Sequence, residues 1–119
     1  MSNIQKYLAK PLSVEPFLKS IFHKNAALTI LDIGACEGEE SIRYSRLFPG
    51  ATIYAFEPLA ENFRKATENI AKFSHGKISI FPYALGKAKG VSRFHVSSGS
   101  PGGKENTEEW NYGNKSSSL

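Results

Sequence analysis

The chain has 119 residues, 40% of them hydrophobic, enough for one compact domain with a core. Its net charge of +4 and pI near 9.2 raise the question of nucleic acid, but the Lys and Arg residues are scattered and the longest basic run is Arg64-Lys65. Nucleic-acid binders cluster their charge on one face, so a solvated basic surface is the expectation and no nucleic-acid partner is predicted. The single cysteine, Cys36, excludes an internal disulfide and fits a reducing cytosol. No apolar stretch approaches the ~20 residues of a spanning helix, and the first six residues lack the apolar core of a signal peptide. A cytoplasmic chain with no membrane partner is therefore predicted.

Residues 1–27 read as an N-terminal helical segment. Within it Val14, Phe17, Leu18, Ile21 and Phe22 recur at helical spacing and predict an amphipathic helix over 14–24, capped by Ser13 with Pro16 in its first turn. Leu28-Thr29-Ile30-Leu31-Asp32-Ile33-Gly34 is a short apolar run ending in an acid and a glycine. Such a run predicts a parallel strand buried on both faces. A helix over 38–48 follows, with Glu39 and Glu40 near its positive end and Pro49-Gly50 as its stop.

Ala51 to Glu57 predicts a second strand, also ending in an acid. Pro58 opens a helix with the stripe Leu59, Phe63, Ala66, Ile70 and Phe73, broken at His75-Gly76. Lys77 to Tyr83 gives a third strand with Ile78 and Ile80 on one face. Strands alternating with helices predict right-handed crossovers and a parallel sheet, hence an α/β fold. After a Gly86–Gly90 turn, Val91 to Ser97 alternates like an added antiparallel strand. Residues 98–119, rich in Ser, Gly, Asn and charge, read as a loop or tail without a core of its own.

In an open parallel sheet, ligands bind beyond the carboxyl ends of the strands. Three segments of this sequence meet that rule. Asp32-Ile33-Gly34-Ala35-Cys36-Glu37-Gly38 joins the first strand to its helix. Its glycines permit a sharp bend and close approach of a ligand, and the helix start is expected to aim free N–H groups at an anion such as a carboxylate. An ordinary strand-to-helix turn is the alternative. Glu57 ends the second strand 25 positions after Asp32, the only aspartate. An acid there can accept hydrogen bonds from two ribose hydroxyls, or simply complement the following helix start. Tyr83-Ala84-Leu85-Gly86 could hold an adenine ring or be a plain loop. Together the three outline an elongated nucleoside site.

The same residues carry a family resemblance. Leu31 to Gly38 and Tyr54-Ala55-Phe56-Glu57-Pro58 resemble the two signature segments of the FkbM-type methyltransferases. Glu61-Asn62-Phe63 with Asn69, Ala84-Leu85-Gly86, Gly90 to Ser97 and Ser116 to Leu119 are similar to that family too. The resemblance spans about residues 28–119. It implies a Rossmann-like methyltransferase fold that binds S-adenosylmethionine (SAM) and methylates an oxygen of a sugar or other small-molecule acceptor. It implies that Asp32, Gly34 and Gly38 shape the methionine end, that Glu57 holds the ribose, and that Pro58 and Leu59 line the adenine; Ala35, Cys36 and Glu37 in the bend, and Ala84 and Leu85 in the loop after the third strand, are also expected to be cofactor-binding. Cys36 departs from the asparagine often found at its place and is expected to contribute backbone, as a small side chain in a crowded loop, rather than a nucleophile.

The resemblance also implies further strands after the Ser-rich segment, with an acidic motif near the transferred methyl. The chain is therefore expected to be the cofactor-binding front half of that domain, with residues 28–97 as an incomplete Rossmann-like half-domain. The first strand then has an open edge, and open apolar edges recruit other chains, so self-association is expected. No residue is assigned to catalysis or to a metal. His23, His75 and His95 read as surface residues; Trp110 and Tyr112 read as tail residues or a cover for the cofactor. A nicotinamide-dependent oxidoreductase is the weaker rival, because Gly34 and Gly38 lie four apart and no G-x-G-x-x-G is present. A P-loop is excluded by the lack of Gly-Lys-Ser/Thr after the bend. A portion that binds SAM without transferring methyl is the other rival.

Overall fold

The computed structural model describes residues 1–93, 95–97 and 116–118. Met1–Ala84 forms one compact unit and Leu85–Leu119 a second.

The first unit begins with two short helices, α1 (Asn3–Ala9) and α2 (Glu15–Ile21). The first carries a short apolar set, Ile4, Tyr7 and Leu8, of which Ile4 is buried. It starts at a reciprocal cap, in which the Gln5 N–H donates to the Ser2 hydroxyl and the Ser2 N–H donates to the Gln5 side chain. Helix α2 is shorter than the apolar spacing predicts, and Ser13 does not cap it. The Glu15 carboxylate instead accepts the Leu12 N–H, which closes the turn before the helix. Its stripe is only partly a packing face. Leu18 reaches the core and Phe22 meets Phe48 edge-on, whereas Phe17 and Ile21 stay exposed.

Three parallel strands follow: β1 (Thr29–Ile33), β2 (Thr52–Phe56) and β3 (Lys77–Phe81), in the order β1-β2-β3. Helix α3 (Glu39–Leu47) links the first two and α4 (Ala60–Phe73) the last two. Pro58 lies just before α4, whose N-cap is Leu59. Successive crossovers of one hand put both helices on one side of the sheet, and α3 and α4 touch each other there. This is an incomplete Rossmann-like α/β fold, as the element order predicts. The register aligns Ile33, Phe56 and Phe81 at the carboxyl rim.

Burial follows from that one-sided cover. Ile53 and Ala55 face the helices and are wholly buried, and Ile53 joins Phe48 and Ala51 in a core flanked by Leu18, Leu28, Ile30, Tyr44, Leu47 and Ile78. The alternate residues Leu31, Ile33 and Tyr54 are exposed, Ile33 by 63%. The expectation that β1 is buried on both faces is therefore not met. Its run is apolar on both sides, but among the described residues only one side is covered. Among those residues β1 also pairs on one edge only, with β2.

Arg43 of α3 ties the N-terminal helices down. Its guanidinium donates to the Tyr7 and Lys10 carbonyls, the latter at 2.6 Å, and pairs with Glu15 at 2.9 Å. It also lies 4.3 Å from the centre of the Tyr7 ring, whose hydroxyl donates to Glu40. Arg43 is 6% exposed, so this buried charge needs its partners. Burial and the Glu40 charge push the Tyr7 hydroxyl well above its ordinary range, while Leu12 and Arg43 hold Glu15 below its own.

In the second unit, β4 (His95–Ser97) pairs antiparallel with β5 (Ser116–Ser118). The antiparallel strand predicted over Val91–Ser97 is thus present in its last three residues. Its partner is another short strand rather than the parallel sheet. That partner comes from residues read as tail; Trp110 and Tyr112 lie outside the described residues.

Candidate functional site

Because β1 and β2 run parallel and in register, the chain leaves both at the same rim. There Gly34, Cys36 and Gly38 all take left-handed conformations, at φ of +86°, +50° and +84°. The two glycines do so without a Cβ penalty, whereas Cys36 bears one. A Cβ on Gly34 would meet nothing within 4 Å, so the space over the bend is open. One on Gly38 would press Ala66 and Ile70 of α4 at 3.4 Å.

Glu57 stands directly against this bend. It is 4% exposed, and its N–H extends the sheet by donating to the Phe81 carbonyl at 3.0 Å. One carboxylate oxygen accepts the Cys36 N–H at 2.9 Å and the other the Leu59 N–H at 2.9 Å. A carboxylate has about four acceptor sites, so each oxygen keeps capacity for a hydroxyl donor. The acid at the end of β2 and the glycine bend after β1 are therefore joined, at the separation the sequence implied.

The bend's N–H groups are less available than expected. Gly34 and Ala35 both donate to the Phe56 carbonyl at 2.9 Å, and Gly38 donates to that of Ala35 at 2.7 Å. Cys36 is taken by Glu57, and Glu37 donates to the Glu39 carboxylate at 3.0 Å. The acids, the neighbouring strand and the bend's own Ala35 carbonyl already satisfy the N–H groups of residues 34–38. Donors for an anion are confined to the first turn of α3.

Helix α4 clamps the bend from the other side. Lys65 pairs with the Glu37 carboxylate at 3.0 Å, and the Asn69 side chain donates to the Glu37 carbonyl at 2.9 Å. The ion pair raises the Lys65 ammonium above its ordinary range. The Asn62 amide lies 3.8 Å from the Cys36 sulfur. Burial first, then the Glu39 charge, push the Cys36 thiol up to about 11, so it stays protonated at neutral pH and is a poor nucleophile. Burial and the Glu37 charge also raise Glu39. Asp32, half-buried, accepts the Ser41 hydroxyl at 2.5 Å.

The structure thus brings together Asp32, Gly34, Ala35, Cys36, Glu37, Gly38, Glu57 and Leu59, with Pro58 half-buried between Glu57 and Leu59. Ala84 is exposed at the end of the first unit; Leu85, also exposed, opens the second. Sequence reasoning missed Ser41 and Lys65. The signal for Lys65 was its spacing with Asn62 and Asn69, three polar residues on one face of a helix. His23 and His75 are exposed; the side chain of His95 lies outside the described residues. Among the described residues, no group of three or more His, Cys, Asp or Glu is placed to hold a metal ion, and no helix is long and apolar enough to cross a membrane.

No family model matches the chain. In sequence it is 32% identical, over 76 residues, to the 2-O-methyltransferase NoeI of Sinorhizobium fredii. That match covers 64% of this chain and 30% of the relative, so the chain spans under a third of the relative's length. Among solved structures, a precorrin-6y C5,15-methyltransferase from Geobacter metallireducens matches with a TM-score of 0.49 and 26% identity, over 59% of this chain and 37% of that one. A SAM-dependent methyltransferase from Aquifex aeolicus matches with a TM-score of 0.48 and 19% identity, over 70% and 48%. The plantazolicin methyltransferase BpumL, solved with S-adenosylhomocysteine (SAH), matches with a TM-score of 0.47 and 20% identity, over 68% and 29%. The chain is similar in sequence to a methyltransferase.

Proposed function

We propose that this chain is the cofactor-binding portion of a SAM-dependent methyltransferase of the FkbM type, which methylates an oxygen of a sugar or other small molecule in the cytoplasm. The observation that carries the reading is the Glu57 carboxylate, hydrogen-bonded to the Cys36 N–H inside the glycine bend at the carboxyl rim of the sheet. The sequence similarity to a 2-O-methyltransferase supports the reaction class and the oxygen acceptor.

The residues present fit a nucleoside cofactor. Glu57 keeps acceptor capacity for two ribose hydroxyls after its two backbone bonds. The open space over Gly34 leaves room for a ligand against the backbone. Pro58, Leu59 and Ala84 would line the adenine, and Asp32 with the 34–38 bend would shape the amino-acid end. When bound, SAM supplies a methyl on a sulfonium sulfur for in-line displacement by the acceptor oxygen. The chain's own contribution is to hold and orient that group.

Self-association belongs to this reading, supported by the edge of β1 that no strand pairs among the described residues and by the exposed Leu31 and Ile33 beside it.

Calorimetric titration with SAM, SAH and NADH tests the cofactor assignment. SAM and SAH are expected to bind, and Glu57→Ala to weaken both by tenfold or more, roughly the loss of charged hydrogen bonds. Binding of NADH alone would remove the methyltransferase reading. Methyl release from SAM to an added acceptor separates an active transferase from a portion that only binds.

A further inference from the structure

Helix α3 carries two serines one turn apart, Ser41 and Ser45, and both are fully buried. A buried hydroxyl inside a helix ordinarily turns back to its own backbone, satisfying itself at the cost of a slight bend. Ser45 does this. It donates to the Ile42 carbonyl at 2.7 Å and accepts the His75 N–H at 3.3 Å. Ser41 does not. Its one proton crosses to the strand and meets the Asp32 carboxylate at 2.5 Å, the short distance expected of an O–H donor on an ionised oxygen.

Asp32 lies at the carboxyl end of β1, one residue before the strand ends and two before the Gly34 bend. A short acid there has several staggered orientations. The hydroxyl from above selects one, on the side of the sheet that the helices cover. We infer that Ser41 is a positioning residue for the cofactor site: its buried hydroxyl fixes the Asp32 carboxylate in the orientation that the amino-acid end of the ligand meets. The inference rests on the cofactor reading given above and adds to it a residue outside the glycine bend.

Three features support a positioning role over mere helix anchoring. The hydroxyl forgoes its local backbone partner, unlike that of Ser45. Its acceptor is the one aspartate of the chain, in the segment where the ligand is placed. The contact joins α3 to β1 at the site end of both elements, whereas the apolar core of Phe48, Ala51 and Ile53 already secures the helix at its other end.

The test is a double-mutant cycle on the full chain, read by SAH affinity and, separately, by thermal unfolding. Ser41→Ala is expected to weaken SAH roughly tenfold, in line with loss of a charge-assisted bond, and Ser41→Thr, which keeps the hydroxyl, to restore most of it. In an Asp32→Ala background the Ser41→Ala loss is expected to shrink to under twofold, because the acceptor that Ser41 positions is gone. A purely structural serine would lower the unfolding temperature of both backgrounds alike and cost SAH affinity equally in each. Wild type that binds SAH while Ser41→Ala binds it equally well, or an undiminished loss in the Asp32→Ala background, overturns the inference. Wild type that binds neither SAH nor SAM overturns the cofactor reading itself, and this inference with it.

Discussion

The two faces of the sheet are made from the same three strands and both carry large apolar residues, yet they live in different surroundings. On the helix side, Ile53 and Ala55 are wholly buried, and Ile53 lies in the core that Ile30 and Ile78 flank. On the opposite side, the register sets Leu31 beside Tyr54 and Ile33 beside Phe56, while Phe81 stacks on Phe56 with ring centres 5.4 Å apart. Side-chain alternation assigns each residue to a face, but it does not supply the cover. Hydrophobicity in a strand therefore marks a surface that favours burial, and only the neighbouring elements decide whether it is buried within the described residues.

That contrast can be broken by substitution. The largest effect is expected from Ile53→Ala, which empties the covered core and should cost about 2–5 kcal/mol in urea unfolding. A cost no greater than at the exposed positions would mean that the helices do not pack as described. A smaller thermodynamic effect, but a change of association state, is expected from Ile33→Lys on the open side. Stability should move by no more than about 0.5 kcal/mol, while sedimentation shifts from concentration-dependent association in the wild type toward a monomer. Wild type that stays monodisperse at every concentration would remove the self-association reading.

The smallest effect concerns a charge on the covered side. Burial raises the Glu39 carboxyl above its ordinary value of 4.5, so its ionised form is disfavoured in the folded chain. The stability tied to that group is fully present below pH 4.5 and is lost as pH rises through the raised value. Glu39→Gln, which keeps an oxygen acceptor for the Glu37 N–H, should unfold slightly above the wild type at pH 7. The gap should close below pH 4.5, where the wild-type carboxyl is protonated in both states. A gap that widens on acidification would reverse the assigned sign.

Much of this architecture was legible because helical and strand periods leave distinct traces. The apolar run at 28–34, the stripe from Leu59 to Phe73 and the spacing of Ile78 and Ile80 each correspond to an element. The missing pieces have physical reasons. Helix α1 has only seven residues, about two turns, so the set Ile4, Tyr7 and Leu8 is too short to mark it by itself; its Ser2–Gln5 cap was the further signal. Strand β5 is three serines, which have little tendency to form strands and are defined here only by their pairing with β4. Within the site, the partnership of Glu57 with the bend was readable from two strand ends in register. The engagement of the Cys36 and Glu37 N–H groups was not, because it depends on where the side chains of Glu57 and Glu39 turn after folding. Nor does anything in the residue type distinguish Ser41 from Ser45.

Arg43 has one more consequence. Two of its partners, at positions 7 and 10, are main-chain carbonyls, which every amino acid carries. At position 10 mutation can therefore wander widely, provided the backbone keeps its course, while position 7 must keep a ring to face the cation. Position 43 has no such latitude: a lysine would offer a single ammonium where a planar fork now reaches three acceptors at once. Selection at this junction should register in the helix that holds the cation, and only faintly in the segment it holds.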